Sequence, residues 1–360
     1  MSKPRFGNAR LETRIDDSMK IIRADCELEC PLIDRTLRQA GHELLLLPDG
    51  IDETRFAEEA RDADLILMCY TPVTRNIIEG AERLKGIVKY GVGIDAIDIP
   101  AASERGIPVV NIPEYAEETV AEGAFALLIA LVKRLKPIGK AMEREGWIWP
   151  ENPWLASDLA GKTLGIVGCG RIGKSMARMA GAGFRMRVLG YDPSKSAESL
   201  ADAGMKKCDD LKSMLAECDA ISLHAVLKPD SKHLIGSAEL ACLKPGAILV
   251  NSARGGLIDE AALVEAVLEN RLGGVGLDVF SSEPLVLEGH VMSPLFGRDD
   301  VILHPHLTFF TYEAMERLEA ETLERCFECL EGGDVLVKSF DSRLRAQKAR
   351  VKFAPGTSLR

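Results

Sequence analysis

Arg254, Glu283 and His306 have complementary chemistry, and each stands just past an apolar run. Arg254 lies in Asn251-Ser252-Ala253-Arg254-Gly255, after Ala247 to Val250. Glu283 closes the stretch Asp278 to Glu283, after Gly274 to Leu277. His306 ends His304-Pro305-His306, after Val301 to Leu303. An imidazole exchanges protons near neutral pH. A carboxylate beside it favours the imidazolium and holds the ring. A planar guanidinium grips a carboxylate better than an ammonium does. Together these types suit reduction of a 2-oxo acid. His304, on the same loop but nearer the strand, is a rival for the proton-transfer role. His224, after Ala220 to Leu223, is better placed to line a cofactor.

A second group has the spacing of a dinucleotide site. Leu164 to Val167 has strand character, Gly168, Gly170 and Gly173 form G-x-G-x-x-G around Arg171 and Ile172, and Ser175 to Ala182 is helix-like. The glycines permit a tight turn, close approach of backbone to a pyrophosphate, and close packing of helix on strand. Asp192, in Gly190-Tyr191-Asp192-Pro193, follows about twenty residues on, where an acid bonds the adenosine ribose hydroxyls and repels a 2′-phosphate. The expected cofactor is NAD.

These residues need elements to hold them at strand ends. Strand-like runs at Leu164 to Val167, Val188 to Tyr191, Ala220 to Leu223, Ala247 to Asn251, Gly274 to Asp278 and Val301 to His304 make a doubly wound nucleotide domain. Upstream, Glu43 to Leu47, Ala63 to Met68, Ile87 to Lys89 and Val109 to Asn111 alternate with helix-like segments as a smaller parallel α/β domain. Glu117 to Glu145 reads as one long helical segment, followed by a loop in which Trp147, Trp149 and Trp154 suggest irregular packing. Glu313 to Leu330 is helical, and Val335 to Lys338 is a short strand in need of a partner. Residues 341–360, with Arg343, Arg345, Lys348, Arg350, Lys352 and Arg360 against Asp341, read as a solvated basic tail or an arm over a neighbouring subunit.

Bulk properties narrow the class. A chain of 360 residues holds about two domains. Its 46% apolar and 28% charged residues are those of a globular protein. Net charge −10 disfavours nucleic acid and anionic membrane as partners. No apolar run reaches the ~18 residues that span a bilayer. The polar start MSKPRFGNARLETRIDD lacks a signal-peptide core. The 9 cysteines have no framework spacing, which suggests free thiols in a reducing cytoplasm. Cys326-x-x-Cys329 lacks the second pair a tetrahedral metal needs, so no metal is expected.

At these residues the chain resembles the D-isomer-specific 2-hydroxyacid dehydrogenases, which include phosphoglycerate, glycerate, D-lactate and phosphite dehydrogenases. Matching segments are KYGVGIDAIDIP (89–100), NIPEYAEETVAE (111–122), GKTLGIVGCGRIG (161–173), GYDP (190–193), NSARGGLIDEAAL (251–263), GLDVFSSEP (276–284) and HPH (304–306). The resemblance implies catalytic roles for Arg254, Glu283 and His306, choosing His306 over His304 by analogy. It implies substrate contacts from Gly91, Val92 and Gly93, whose backbone N–H groups hold the carboxylate, and places Asp278 near the nicotinamide carboxamide. Tyr70 and Lys89-Tyr90 stand where phosphoglycerate-specific members carry basic residues, so phosphoglycerate is not favoured. Tyr70, Tyr90, Phe309, Phe310 and Trp147 are candidates to shape the pocket for the substrate side chain. Ala253, Pro193, Arg171 and Ile172 join the cofactor set. Glu283 in place of the formate dehydrogenases' Gln disfavours formate. The implied architecture is α/β with two doubly wound parallel-sheet domains: a Rossmann NAD-binding domain (114–311) inserted in a flavodoxin-like substrate domain (1–113 and 312–340). Domain closure would exclude water from the cleft. The family is usually dimeric through the nucleotide domain. Phosphite oxidation on the same scaffold and an NAD-sensing corepressor-like module are the rival functions.

Overall fold

The computed structural model describes residues 18–355, which form two compact units. One comprises 18–115 with 312–355 and the other 116–311. The polar start (1–17) and the last residues of the basic segment, Arg360 among them, lie outside the described residues.

The first unit opens with β1 (Lys20–Arg23), α1 (Pro31–Gln39), β2 (Glu43–Leu46), α2 (Glu53–Ala60), β3 (Leu65–Met68), α3 (Arg75–Gly80), β4 (Gly86–Lys89), α4 (Ile99–Glu104) and β5 (Val109–Asn111). Its strands form a 5-stranded parallel sheet in the order β2-β1-β3-β4-β5, the flavodoxin-like order. Every residue of β3 and β4 is buried, because helices cover both faces of the sheet. The side chains of Asp52, Thr74 and Asp98 accept first-turn N–H groups, which sets where α2, α3 and α4 begin.

The second unit runs through α5 (Glu117–Val132), α6 (Leu135–Glu145), β6 (Thr163–Val167), α7 (Arg171–Arg178), β7 (Arg187–Tyr191), α8 (Ala197–Ala201), β8 (Lys206–Lys207), α9 (Leu211–Glu217), β9 (Ala220–Leu223), α10 (Ser237–Cys242), β10 (Ile248–Asn251), α11 (Glu260–Leu268), β11 (Gly274–Leu277) and β12 (Val301–Leu303). Its 7-stranded sheet has the order β12-β11-β10-β9-β6-β7-β8, all parallel. The order reverses between β6 and β9, and ligands bind beyond the strand ends at such a switch point. Three expectations need correction here. The continuous helical segment from 117 to 145 is broken at Arg134, which adopts φ 53° and turns the chain from α5 into α6. The sheet gains β8, a two-lysine strand with no apolar signature. Trp147 and Trp149 are not packed away: they are 64% and 72% exposed, edge to face with each other.

The chain then returns to the first unit as α12 (Tyr312–Glu331), β13 (Val335–Val337), α13 (Ser342–Arg345) and β14 (Val351–Phe353). Glu319 of α12 accepts the N–H groups of Leu32 (2.7 Å) and Ile33 (3.0 Å), capping α1, which has no side-chain cap of its own. Cys326 and Cys329 are buried in the same helix. The basic segment is not a solvated tail as far as residue 355. β14 pairs with β13 in parallel, and the buried side chain of Gln347 bonds both the N–H (2.9 Å) and the carbonyl (3.0 Å) of Val109 on the edge strand β5. Arg345 lies between the rings of Phe340 (4.9 Å) and Phe353 (4.7 Å). Lys348, Arg350 and Lys352 are exposed, while the Gln347 amide and the Arg345 guanidinium anchor the segment.

Candidate active site

At the switch point Gly168 follows β6 with φ +91°, and a Cβ there would lie 2.4 Å from the Ala225 nitrogen just past β9. Only glycine allows both that conformation and that approach. The turn delivers the chain to α7, whose first turn has Gly170 at its N-cap and no side-chain cap. Its N–H groups and helix dipole make an anion-binding end. Arg171 bonds Glu117 (2.8 Å), and Ile172 packs on the core under α5. Asp192 is tied to the glycine turn: one carboxylate oxygen accepts Cys169 N–H (3.0 Å), the other Ser194 N–H (2.9 Å) and hydroxyl (2.7 Å). Pro193 follows on the surface.

His224 stands at the end of β9. Its Nε2 meets the Ser222 hydroxyl at 2.8 Å, while Nδ1 is out of solvent without a protein partner among the described residues. Burial pushes this imidazole down from 6.5 to about 4. The unfolded chain therefore takes up the proton first, so stability is complete above about pH 6.5 and falls as the pH drops toward 4. Part of the residue still meets water, which reduces the loss to ~2 kcal/mol. Urea midpoints compared near neutrality and near pH 4.5 should differ less in His224→Asn than in the parent. An unchanged difference would contradict the assignment.

The carboxyl ends of β10, β11 and β12 carry the remaining groups. The buried Asn251 side chain accepts Ala253 N–H (3.0 Å) and donates to the Arg254 carbonyl (2.9 Å), closing the turn that presents Arg254. Half-buried Arg254 donates from Nη1 to the Ala253 carbonyl at 2.7 Å. A Cβ on Gly255 would fall 1.9 Å from the Phe280 carbonyl carbon, so the Arg254 turn is pressed against the segment leading to Glu283. Ser281 is fixed by Glu260, which accepts its N–H (2.7 Å) and its hydroxyl (2.5 Å).

Glu283 divides its two oxygens. Oε1 accepts Phe280 N–H at 2.9 Å and Oε2 meets His306 Nδ1 at 2.8 Å. Burial alone would raise the Glu283 pKa. The His306 hydrogen bond and charge, the Phe280 N–H and the Arg254 charge outweigh burial and lower it. The carboxylate is thus ionised at neutral pH and assigns the proton to Nδ1, leaving Nε2 as the nitrogen that can exchange one. His306 has φ 57°, a left-handed conformation uncommon outside glycine. Phe309 is buried with its ring edge-on to His306 (6.3 Å), whereas Phe310 is exposed.

His304 forms its own pair: its Nδ1 meets Asp278 Oδ1 at 2.5 Å. Asp278, expected beside the nicotinamide carboxamide, is 0% exposed and also accepts Leu307 N–H (2.8 Å), Thr308 N–H (3.0 Å) and the Thr308 hydroxyl (2.5 Å). With its carboxylate wholly engaged, it holds the histidine loop. Asn251 and Glu260 are site-building residues absent from the sequence expectations. A strand-ending Asn two residues before a turn amide was the available signal for the former. An acid in the first turn of α11 gave none for the latter.

In the first unit, Tyr70 follows β3 and is 37% exposed. Gly91 follows β4, and the carbonyl of exposed Val92, next to Gly93, accepts Asn111 Nδ2 at 2.6 Å. Lys89 donates to the Cys69 carbonyl and lies 5.4 Å from the Tyr70 ring centre. Tyr90 is no pocket residue. It is fully buried, and its hydroxyl donates to the Ala24 and Asp25 carbonyls.

Comparison with known proteins fits this geometry. Residues 125–308 match the profile described as "D-isomer specific 2-hydroxyacid dehydrogenase, NAD binding domain". D-3-phosphoglycerate dehydrogenase of Methanocaldococcus jannaschii is 38% identical over 284 residues, which cover 79% of this chain and 53% of that protein. The chain thus spans about half the length of that relative. Glyoxylate reductase of Thermococcus litoralis is 39% identical over 265 residues, covering 72% and 78% of the respective chains. The crystal structure of D-lactate dehydrogenase from Aquifex aeolicus, in complex with NAD and lactic acid, superposes with a TM-score of 0.78 at 32% identity, covering 87% of this chain and 96% of that one. A Rossmann sheet with the glycine turn and Asp192 at its switch point, and with Arg254, Glu283 and His306 at its strand ends, places this chain in the D-isomer specific 2-hydroxyacid dehydrogenase family of NAD-dependent oxidoreductases.

Proposed function

We propose that the protein catalyses reversible hydride transfer between NAD and a small D-2-hydroxy acid, forming the 2-oxo acid. The observation that carries this reading is the His306–Glu283 pair on the same strand-end rim as Arg254. Bound NADH supplies the hydride. Arg254 binds the substrate carboxylate in a planar two-point grip. His306 Nε2 gives a proton to the carbonyl oxygen during reduction and takes it from the hydroxyl during oxidation. Glu283 stabilises the imidazolium and fixes the ring. Each reductive turnover therefore consumes one 2-oxo acid, one NADH and one proton. Tyr70 and the Gly91–Val92–Gly93 backbone of the first unit are the further substrate contacts we assign, and the Asn111 hydrogen bond to Val92 supports a fixed loop there. The cofactor set is Gly168, Gly170, Arg171, Ile172, Gly173, Asp192, Pro193, His224, Ala253 and Asp278.

The test is NADH oxidation with glyoxylate, pyruvate, hydroxypyruvate, oxaloacetate and branched 2-oxo acids, with product chirality determined. Turnover of none of them would overturn the reading. Asp192→Ser should lower the ratio of kcat/KM for NADH over NADPH about 10- to 100-fold, the worth of a hydrogen bond to a charged group. An unchanged ratio would remove Asp192 from ribose recognition.

Among the described residues no helix is long and apolar enough to cross a membrane. We infer a cytoplasmic homodimer joined through the nucleotide unit. Trp147, Trp149, Leu135 and Leu155 leave apolar surface exposed on that unit, as an interface would need. A single-chain mass by light scattering would refute the dimer.

A further inference from the structure

The loop that carries His306 is held from underneath by one buried carboxylate. β11 and β12 are adjacent and parallel with Leu277 opposite Leu303, so Asp278 and His304 leave the sheet side by side. His304 N–H donates to the Leu277 carbonyl (2.8 Å), which keeps His304 in line with the sheet. His306 then turns into its left-handed conformation, with its N–H bonded to the His304 carbonyl at 3.1 Å. Asp278 grips the chain on both sides of that turn. Its Oδ1 meets His304 Nδ1 (2.5 Å) and Leu307 N–H (2.8 Å), and its Oδ2 accepts the N–H (3.0 Å) and hydroxyl (2.5 Å) of Thr308. A left-handed residue persists where its surroundings over-determine it. His304 provides the side-chain donor upstream of the turn. The Thr308 hydroxyl provides the one downstream.

We propose that His304 is a positioning residue. Through Asp278 it fixes the turn that aims His306, and it exchanges no proton with substrate. This rests on the reading of His306 as the acid–base group. The arrangement demands a donor at the δ position of residue 304 and nothing more of its ring. The amide nitrogen of Asn sits at that position, the same number of bonds from Cβ as Nδ1, and cannot act as an acid or base near neutral pH. Gln carries the same amide one methylene too far out, and Ala carries none.

The experiment compares His304→Asn, His304→Gln and His304→Ala as folded full-length proteins. With the preferred 2-oxo acid, kcat should stay within about threefold of the parent for Asn and fall at least about tenfold for Gln and Ala, with the KM for NADH little changed. Imidazole 15N–1H spectra recorded without substrate give a readout that does not depend on turnover. The His306 Nδ1–H signal should move in the Gln and Ala proteins and keep its parental position in the Asn protein. Loss of activity in His304→Asn equal to that in His304→Ala would overturn the proposal, and with a parental His306 spectrum it would make His304 an acid–base group. Gln and Ala proteins with parental His306 spectra would overturn it too. If His306 had no part in catalysis, the spectral pattern would persist without the kcat pattern, which separates failure of this inference from failure of the underlying reading.

Discussion

His306→Ala is expected to lower kcat for 2-oxo acid reduction about 10³-fold while NADH affinity stays within a fewfold. Loss of a positioned general acid typically costs ~10²–10⁴ in rate. The upper part of that range applies because both Glu283 oxygens are engaged, one by this ring and one by the Phe280 N–H. His306→Asn should fall nearly as far, since an amide fills the space but carries no exchangeable charge. Single-turnover mixing of enzyme, NADH and substrate would report the chemical step alone. If that step in either variant kept more than about a tenth of the parental rate, His306 would not be the proton donor.

Arg254→Ala should reduce kcat/KM for the 2-oxo acid by about 10²- to 10³-fold, in line with removal of one partner from a desolvated charge pair. Arg254→Lys should recover only a small part, because an ammonium cannot form the parallel two-bond contact. A second loss accompanies the first. The Arg254 charge helps hold Glu283 ionised, so its removal lets that carboxyl titrate at higher pH. Since the parental Glu283 is held low, activity that depends on it is complete at neutral pH and declines only on acidification. In Arg254→Ala the acid limb of the residual kcat/KM profile should therefore move toward neutrality. Full activity in Arg254→Lys would show that a simple cation suffices there.

Much of this architecture can be read from residue types and their spacing. Short apolar runs such as Leu65–Met68, set between helix-like segments, read as strands covered on both faces, and this one is β3. The glycine turn and Asp192 are identifiable because φ +91° and the close approach at Gly168 leave no other residue type possible. What escaped depended on contacts between distant segments. β8 has only Lys206 and Lys207, and its strand state comes from pairing with β7. Arg134 turns left-handed inside the helical pattern, and Pro137 three residues on was the signal that a second helix begins there. Asp278 follows a strand as a ligand-facing acid would. Its burial arises because the amides of residues 307 and 308 fold back onto it. Tyr90, next to the Gly91 turn, looked like pocket lining, yet its hydroxyl reaches carbonyls at the end of β1.

The Gln347 amide has a consequence for handling the protein. By bonding both backbone groups of Val109, it does at one point what another strand would do along the whole margin of the sheet. A shortened version stopping before that glutamine would leave β5 with open backbone groups, and a bare strand margin is a template on which further copies can stack. Crystallographers trimming the basic end to improve packing would thus trade surface charge for fibre-like association, so any cut belongs after Phe353.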